Sequence, residues 1–450
     1  MTPKTSKSSH KVTKHNFRAV KASSSGASSS SAAPNTIRIP ITNVYDGSDY
    51  SAAIRIGSNG VPANVILDTG SSTLAVVPSV YDGTKDTDME PTSIAQEVLY
   101  GTGGWIGPVV NTAVSFGDTQ GNAVTLPSAP IAITIAQAPN NFTGVDGIMG
   151  LAFNSLNTAF DLKAYLTGQK VNPPLTFPWP FPAANWDNAS KQFSELTKSM
   201  TPVEVDPYFT DLEAQGLVLN KFAFYTLRSW VRCASNNKSA ITADPWNQGI
   251  FILGGGDDGS DQGVLYTGDF LDVDVLHDVY YNVNLISVQV GNRPAVKAKP
   301  LQPQYAGAAS NCIVDSGTSA LVLSNDVFEA ILAALEKINV KFIGSIRHAG
   351  AQNGISSSLL NLAEWPTITF NVTGANGGSV ALTVTPQTYW QEDFPSPGTS
   401  QFQISPAGSG DPVNQSILGL PLLNNYYTVF DRSQGSGNGV VRFAAIKLPA

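Results

Sequence analysis

A twelve-residue pattern that occurs twice constrains this chain more than any other feature. Residues 65–76 read VILDTGSSTLAV, and residues 312–323 read CIVDSGTSALVL. In each copy an apolar, strand-like run ends in an aspartate, which is followed by a hydroxyl residue, a glycine and two more hydroxyl residues. A carboxylate at the end of an apolar strand is costly to bury unless hydrogen bonds satisfy it. The glycine and hydroxyl residues supply a tight turn and those donors.

A single copy of this pattern would be explained by an ordinary turn at the end of a strand. The two copies place Asp68 and Asp315 247 positions apart in one chain. A chain of 450 residues also exceeds the usual size of a single hydrophobic core, so two lobes are expected. The repeat places one aspartate in each half of the chain.

Together with four further motifs, the repeat resembles the pepsin-like aspartic endopeptidases. Residues 100–104 (YGTGG) resemble the flap that closes over substrate in that family. Residues 145–151 (VDGIMGL) and 417–419 (ILG) resemble the elements that accompany each aspartate loop, and residues 426–431 (YYTVFD) resemble the C-terminal strand. The resemblance spans roughly residues 40–448 and is closest to a fungal-type secreted member. It implies a fold dominated by β-strands, with two homologous lobes, a cleft between them and a few short helices.

The resemblance also implies roles for individual residues. Asp68 and Asp315 would share a proton and hold the attacking water, as two close carboxyls that cannot both ionise. The flap would comprise Tyr100, Gly101, Thr102 and Gly103. Support for the two carboxyls would come from residues of the two loops, namely Thr69, Gly70, Ser71, Ser316, Gly317 and Thr318. The implied reaction is the hydrolysis of peptide bonds at acidic pH without a cofactor.

One departure from the family concerns the flap. The family commonly places a Trp after the Leu of the first motif, where it bonds to the flap tyrosine, but this chain has Ala75 there. Tyr100 therefore needs another partner, for which Trp105 and water are the two candidates. In the second lobe, Leu420 follows Ile-Leu-Gly where an Asp is common.

The competing class is a catalytically inactive relative with the same fold, acting as a binding or inhibitor protein. Such relatives typically lack one aspartate or the flap tyrosine, and this chain has all three. The enzyme, an aspartic endopeptidase, is therefore favoured. Its partners would be polypeptide substrates and pepstatin-type inhibitors, and the protein would act as a monomer.

Charge separates the N-terminal tail from the rest of the chain. The first 40 residues contain seven basic residues and no acidic one, whereas residues 41–450 contain 19 basic and 34 acidic residues. A strongly acidic body repels nucleic acid and anionic membranes, and its few cations suit work at low pH. Four scattered histidines and two cysteines predict no metal site. The sequence contains no apolar run of about 20 residues, so it predicts no membrane span.

Composition along the chain predicts three regions. Residues 1–36 form a basic, Ser-rich tail that is either a pro-segment or a plain extension. Residues 37–258 would form the N-terminal lobe, with a short helix from Asp206-Pro207 to Gly216, a strand over 222–231, and insertions at about 155–200 and 232–248. The first insertion, which is rich in proline and aromatic residues, is expected to be a loop packed on its own lobe, with a partner-binding segment as the alternative. Residues 259–450 would form the C-terminal lobe, with a helix that begins near Ser324. A secreted or acidic vacuolar location fits this reading.

The two cysteines, Cys233 and Cys312, are expected to form a disulfide bond. Oxidising compartments favour pairing, and the bridge would join a second insertion to the strand that enters Asp315. Two buried free thiols are the alternative.

Overall fold

The computed structural model describes residues 35–100, 103–117, 122–139, 141–182, 184–301, 310–338, 354–408, 413–435 and 437–449. Nearly all of the predicted tail, residues 1–36, lies outside this part of the chain, as do the predicted flap residues Gly101 and Thr102. Strands dominate the regular structure of the described residues, as the sequence predicts. No described helix is both long enough and apolar enough to cross a membrane.

The strands up to residue 258 are β1 (Ile37–Thr42), β2 (Ser51–Ile56), β3 (Val61–Asp68), β4 (Leu74–Val76), β5 (Glu90–Tyr100), β6 (Gly103–Gly117), β7 (Ala123–Ile133), β8 (Ala136–Gln137), β9 (Gly147–Gly150), β10 (Thr158–Asp161), β11 (Val203–Glu204), β12 (Lys221–Tyr225) and β13 (Gln248–Leu253). The later strands are β14 (Tyr266–Asp274), β15 (Asn282–Val283), β16 (Leu285–Val290), β17 (Val296–Lys297), β18 (Cys312–Val314), β19 (Leu321–Leu323), β20 (Ile355–Ser356), β21 (Ile368–Thr373), β22 (Ser379–Val384), β23 (Trp390–Glu392), β24 (Thr399–Phe402), β25 (Ile404–Pro406), β26 (Ser416–Leu418), β27 (Tyr426–Asp431) and β28 (Val440–Ile446).

Helices are few and short in the described residues. They are α1 (Lys163–Gly168), α2 (Trp186–Thr197), α3 (Tyr208–Ala214), α4 (Lys238–Ala243), α5 (Asn325–Glu336), α6 (Pro386–Tyr389) and α7 (Leu420–Leu423). Single 3₁₀ turns lie at Gly83–Lys85, Asn154–Leu156, Pro245–Asn247, Ser357–Leu359 and Leu362–Glu364.

Most strands before residue 258 belong to one large sheet that curls into a barrel-like layer. Its path runs β2, β3, β9, β4, β7 and β6, and β6 pairs again with β2, which closes the ring. Within the ring β3 lies beside β9 in parallel, with Asp68 opposite Gly150. The first aspartate therefore stands at the end of a strand that has neighbours on both sides.

The same sheet continues through six antiparallel strands in the order β1, β13, β12, β27, β28 and β14. Phe222 on β12 is opposite Phe430 on β27, so strands from both ends of the chain share this layer. At the other end of the same sheet β6 pairs with β5, followed by β10 and β11, and β8 also pairs with β6. The other described strands form three smaller sheets. Their orders are β15-β18-β26-β19-β25, β17-β16-β21-β22 and β20-β24-β23.

Alternating burial explains how the sequence selects these strands. In β1 the side chains of Ile37, Ile39 and Ile41 are buried, whereas those of Arg38 and Pro40 face outward. This is the period-two pattern of a strand with one face on the core. The burial of a large aliphatic side chain contributes roughly 1.5–3 kcal/mol relative to its exposure, so burial of the three isoleucines stabilises the strand in this orientation.

Two helices begin within a residue or two of where the sequence predicts. α3 follows Pro207, and the chain turns after it at Gly216, which has φ of +68°. α5 follows Ser324 and buries Val327 and Ile331 among its inward-facing residues.

Two other assignments from sequence need correction. A strand was expected over residues 222–231, but β12 ends at Tyr225, because the amides of Leu227 and Arg228 donate to the Tyr50 hydroxyl instead of a neighbouring strand. The insertion at 155–200 was expected to be a loop. It packs against its own half of the chain, but it contains β10, α1 and α2.

Candidate active site

The two aspartates end equivalent strands in the two halves of the chain. Asp68 is the last residue of β3, and its carbonyl accepts a hydrogen bond from the amide of Leu151 at 2.7 Å. Asp315 follows β18, which runs parallel to β26, and its amide donates to the carbonyl of Leu418 at 3.2 Å. A parallel neighbouring strand therefore fixes the backbone at each aspartate.

Close packing at the second loop explains the Ile-Leu-Gly element. A Cβ at Gly419 would collide with the carbonyl oxygens of Thr318 and Ala320, so no larger residue fits there. Leu420, which replaces the common Asp, is buried and starts α7, and its amide donates to the Thr318 carbonyl at 2.8 Å. Local support near Gly419 thus comes from backbone bonds and apolar packing.

Reciprocal hydrogen bonds join the two loops directly. The Thr69 amide donates to Ser316 Oγ at 3.0 Å, and the Ser316 amide donates to Thr69 Oγ1 at 2.8 Å. Each hydroxyl then donates to a carbonyl of the opposite strand: Thr69 Oγ1 to Val314 at 3.3 Å, and Ser316 Oγ to Leu67 at 2.8 Å. These four bonds span 245 or more positions of sequence and hold the two strand ends together.

The two carboxyl groups consequently lie in one buried site. Asp68 and Asp315 are each 7% exposed. Gly70 donates its amide to Asp68 Oδ1 at 2.7 Å, and Gly317 donates to Asp315 Oδ1 at 2.8 Å. The symmetry of the two loops therefore extends to the way each carboxyl is held.

Each of these glycines also lies directly beside the opposite carboxyl. A Cβ at Gly70 would lie 2.7 Å from both Asp315 oxygens, and a Cβ at Gly317 would collide with the Asp68 carboxyl. Side chains at these positions would push the two carboxyls apart. The glycines of the repeat are thus required by the approach of the aspartates as well as by the turn.

The hydroxyl residue that follows the glycine of each loop supports its aspartate to a different extent in the two loops. Thr318 Oγ1 donates to Asp315 Oδ2 at 2.6 Å. The buried Ser71 hydroxyl has no partner at hydrogen-bond distance among the described residues, although it lies near enough to Asp68 to favour the ionised form. The contact from Ser71 is therefore the looser of the two.

Burial and the neighbouring charge together control ionisation of Asp68. Loss of hydration on burial raises the pKa of Asp68 well above its ordinary value, and the Asp315 carboxyl raises it further. The Gly70 amide opposes this shift by stabilising the charged form. A pair in this condition can keep one proton where isolated carboxyls would both be ionised.

The predicted flap residues Tyr100 and Gly103 lie in the hairpin of β5 and β6, opposite each other at its last described pair. Trp105 Nε1 donates to the Tyr100 hydroxyl at 3.1 Å, which confirms Trp105 as the partner required by Ala75. Trp105 and Ala75 are buried in one apolar cluster, and Tyr100 packs against it. The indole that bonds to Tyr100 therefore comes from the same hairpin.

Two site residues were not found from sequence. Arg432 donates to the carbonyls of Leu151 and Ala152, so it ties the segment after β9 to the end of β27. The pKa of Asp49 is raised well above its ordinary value. Burial is the main cause, and the charges of Asp46, Asp68 and Asp315 add to it. Arg432 directly follows the recognised C-terminal strand motif, whereas nothing in the sequence near Asp49 marks it.

The predicted disulfide bond is absent. Both cysteines are free, with Cys312 buried and Cys233 partly exposed. Cys312 lies in β18 between β15 and β26, whereas the Cys233 amide donates to the carbonyl of Asp393 at 2.7 Å. The prediction was wrong because the second insertion packs beside Asp393 and not against the strand that enters Asp315. Among the described residues no group of three His, Cys, Asp or Glu side chains is placed to hold a metal ion.

Comparison with known proteins agrees with this geometry. The family model described as "Eukaryotic aspartyl protease" matches residues 49–167 and 208–445. The chain is 26% identical to cathepsin E of Aquarana catesbeiana, over 93% of this chain and 84% of that protein. It is 26% identical to pepsin-2B of Gadus morhua, over 88% of this chain and 95% of that protein. It is 23% identical to a probable vacuolar protease A of Arthroderma benhamiae, over 86% of this chain and 77% of that protein.

The chain therefore belongs to the eukaryotic aspartyl protease family. This is the pepsin-like class of aspartic endopeptidases, hydrolases that act on the peptide bonds of polypeptides.

Proposed function

We propose that this protein cleaves polypeptides in acid through a general acid–base mechanism carried by Asp68 and Asp315. The observation that carries the proposal is the pair of buried carboxyl groups, each 7% exposed, in two loops that are hydrogen-bonded to each other. One carboxyl of such a pair can act as an acid while the other acts as a base.

The proton shared by the pair is assigned to Asp68, because its pKa is raised by burial and by Asp315. In the first step Asp315 takes a proton from water as the water oxygen attacks the carbonyl carbon. Asp68 gives its proton to the carbonyl oxygen, which leaves a tetrahedral diol. In the second step the carbon–nitrogen bond breaks. Asp315 then protonates the leaving nitrogen, and a diol hydroxyl returns its proton to Asp68.

The remaining loop and flap residues would position this chemistry. Thr69 and Ser316 hold the loops in register, Gly70 and Gly317 allow the carboxyls to approach, and Thr318 orients Asp315. Ser71 would play the same part for Asp68 through a looser contact. The flap residues Tyr100, Gly101, Thr102 and Gly103 would cover substrate and exclude water.

Several wider assignments belong to the same proposal. Residues 37–258 and 259–450 would be the two lobes, with the substrate cleft between them. The protein would be a pepstatin-sensitive monomer of the fungal-type secreted group, located outside the cell or in an acidic vacuole. The acidic body and the resemblance to a probable vacuolar protease support this location.

The tail at residues 1–36 would be a basic pro-segment. β1 is paired along its whole length with β13, and Ile37, Ile39 and Ile41 are buried in the core. A processed chain that keeps this strand must therefore start before Ile37.

The test is cleavage of an unfolded protein substrate from pH 2 to pH 7, with and without pepstatin. Asp68→Asn and Asp315→Asn should each lower kcat by at least about 10³-fold, because either change leaves the pair without its acid or its base. Asp187→Asn, an exposed change on α2, is the matched control and should keep wild-type turnover. Turnover retained in either active-site variant would refute the mechanism. Pepstatin binding without turnover in the wild type would instead identify an inactive, ligand-binding relative.

A further inference from the structure

A cavity of about 390 Å³ lies beside the flap hairpin, away from the two carboxyls. Its walls come from β6, β8, α1, α2 and the proline-rich segment before α2. Ile106 of β6 lines the cavity, whereas its neighbour Trp105 contacts Tyr100. Successive side chains of a strand point to opposite faces of the sheet. The cavity therefore lies against the face of β6 opposite Trp105.

The lining is suited to a neutral, aromatic ligand. Aromatic walls are provided by Tyr165, Trp179, Phe181 and Phe193. The rings of Trp179 and Phe181 lie 4.9 Å apart and remain partly exposed. Ligand sites typically have volumes of roughly 300–1,000 Å³ and are mostly apolar with a few polar groups. The volume and the walls of this cavity fit that description.

Charge narrows the class of ligand. Besides the hydroxyl of Tyr165 and the indole N–H of Trp179, the polar side chains that line the cavity are those of Gln192 and Glu195, and no Lys, Arg or His is among the described lining residues. A carboxylate in the wall, with no cation among the lining side chains, disfavours an anionic ligand. Gln192 can both donate and accept a hydrogen bond, which suits a neutral ligand that has one polar group.

The cavity depends on a part of the chain that the family does not require. The family model matches residues 49–167 and 208–445, so residues 168–207 lie outside the match. Most lining residues, including Trp179, Phe181 and Phe193, belong to that unmatched segment. The cavity is therefore an addition to the shared fold.

The same segment is fastened to the flap. Ser190 on α2 donates its hydroxyl to Glu97 Oε1 on β5 at 2.6 Å. Trp186 packs directly against Gly104 of β6, where a Cβ would lie 2.9 Å from its ring. A ligand that shifts α2 would consequently shift both strands of the hairpin.

We propose that this cavity is a binding site for neutral aromatic molecules, and that a bound molecule alters the position of the flap. The binding itself does not depend on catalysis. The expected effect on substrate affinity rests on the proposed function.

The first experiment titrates the full protein with N-phenyl-1-naphthylamine, a neutral probe whose fluorescence rises in apolar surroundings. Its anionic counterpart, 8-anilino-1-naphthalenesulfonate, has the same ring system with a sulfonate added. At pH 6–7, with pepstatin present to occupy the cleft, the neutral probe should bind one site per chain. The anionic probe should bind at least tenfold more weakly because Glu195 faces it.

Two variants and a matched control locate the site. Ala189→Phe places a ring inside the cavity and should weaken the neutral probe at least tenfold. Ala164→Phe makes the same change at an exposed position of α1 outside the lining, and should leave affinity within twofold. Trp179→Ala removes a wall and should also weaken binding at least tenfold, which keeps the test open if Ala189→Phe does not fold.

Three results would overturn the proposed site: no saturable binding, equal affinity for the two probes, or equal affinity in the wild type and the cavity variants. Competition between pepstatin and the probe that reaches no plateau at saturating pepstatin would place the probe in the cleft and would also overturn the site, because coupling through the flap would give a plateau. The saturating probe should change KM for a peptide at least twofold in the wild type and not in Ala189→Phe. An unchanged KM would refute the link to the flap, whereas a wild type without turnover in the absence of probe would refute the proposed function alone.

Discussion

The substitution Thr69→Val tests whether the hydrogen bonds between the two loops hold the site together. Valine has nearly the same shape as threonine, so the change leaves no cavity and removes only the hydroxyl. Thr69 Oγ1 accepts from the Ser316 amide at 2.8 Å and donates to the Val314 carbonyl at 3.3 Å. Both bonds are buried and join segments that are distant in sequence.

The magnitude follows from the groups left unpaired. The buried Ser316 amide would lose its acceptor, which costs about 1–3 kcal/mol, and the lost bond to Val314 adds about 1 kcal/mol. We therefore expect the free energy of unfolding to fall by about 2–4 kcal/mol. Because the loops carry Asp68 and Asp315, kcat should fall as well, since small displacements of reacting groups are costly.

Thr428→Val is a matched control within the same protein. Thr428 is 0% exposed in the middle of β27, and its hydroxyl has no hydrogen-bond partner among the described residues. Removal of a buried, unpaired hydroxyl relieves a desolvation cost. The free energy of unfolding should therefore stay unchanged or rise by up to about 1 kcal/mol.

The assay is equilibrium unfolding in urea for the wild type and both variants, combined with kcat on a peptide substrate. The dependence of the free energy of unfolding on urea concentration should be the same in all three proteins, so that a shifted midpoint reports stability. Equal losses in Thr69→Val and Thr428→Val would show that burial, and not the bonds between the loops, determines the effect. Wild-type stability and kcat in Thr69→Val would refute the reasoning entirely.

Two further predictions concern the flap and the cysteines. Tyr100→Phe leaves the indole N–H of Trp105, which is buried, without its acceptor, so kcat/KM should fall about tenfold and the free energy of unfolding should fall by about 1–3 kcal/mol; a wild-type kcat/KM would show that this bond does not position the flap. Thiol titration of the denatured, unreduced protein should find two reactive groups per chain, with Cys233 alone reacting before denaturation because Cys312 is 0% exposed; fewer than two groups would show that the cysteines are oxidised.

The sequence predicts most of the site because its constraints are local and occur twice. The strand that ends in an aspartate, the glycine turn and the following hydroxyls can each be recognised from neighbouring residues. The replacement at Ala75 predicts that Tyr100 needs a new partner, and the structure supplies Trp105. What the sequence alone does not give is the distance between the two loops, because bonds between Thr69 and Ser316 set that distance.

Prediction fails where packing partners lie far away in the chain. The insertion was read as a loop because its many prolines obscure the helix at Trp186–Thr197, whose buried face includes Phe193. The sequence of the helix does not show which residues will cover that face, and in the structure β5 and β6 cover it. The disulfide was inferred from the cysteine count, which contains no information on where Cys233 and Cys312 lie.

The ionisation of the pair can be tested without catalysis, through the dependence of stability on pH. An aspartate in an unfolded chain has a pKa of about 3.9. The pKa of Asp68 is raised in the folded protein, so above about pH 4 the folded state binds more protons than the unfolded state does. The contribution of Asp68 to the free energy of unfolding must then fall as pH rises, by about 1.4 kcal/mol per pH unit for one proton, until the folded pKa is passed.

Asp68→Asn removes this group and leaves Asp315 without a charged neighbour. The difference in unfolding free energy between Asp68→Asn and the wild type should therefore move in favour of the variant between pH 4 and pH 7. Asp82→Asn should change stability relative to the wild type in the opposite direction as pH rises. Hydrogen bonds from Thr84 and Lys85 lower the pKa of Asp82 to about 2, so its contribution to stability is present above about pH 4 and is lost as pH falls toward 2.

The measurement is the urea midpoint of the wild type and the two variants at each pH from 2 to 7. Relative to the wild type, Asp68→Asn should gain stability toward neutral pH, and Asp82→Asn should lose a small amount. A wild-type curve that stays parallel to that of Asp68→Asn would mean that Asp68 ionises at an ordinary pKa. The assignment of the shared proton to Asp68 would then fail, because that assignment depends on burial and Asp315 keeping this carboxyl protonated in acid.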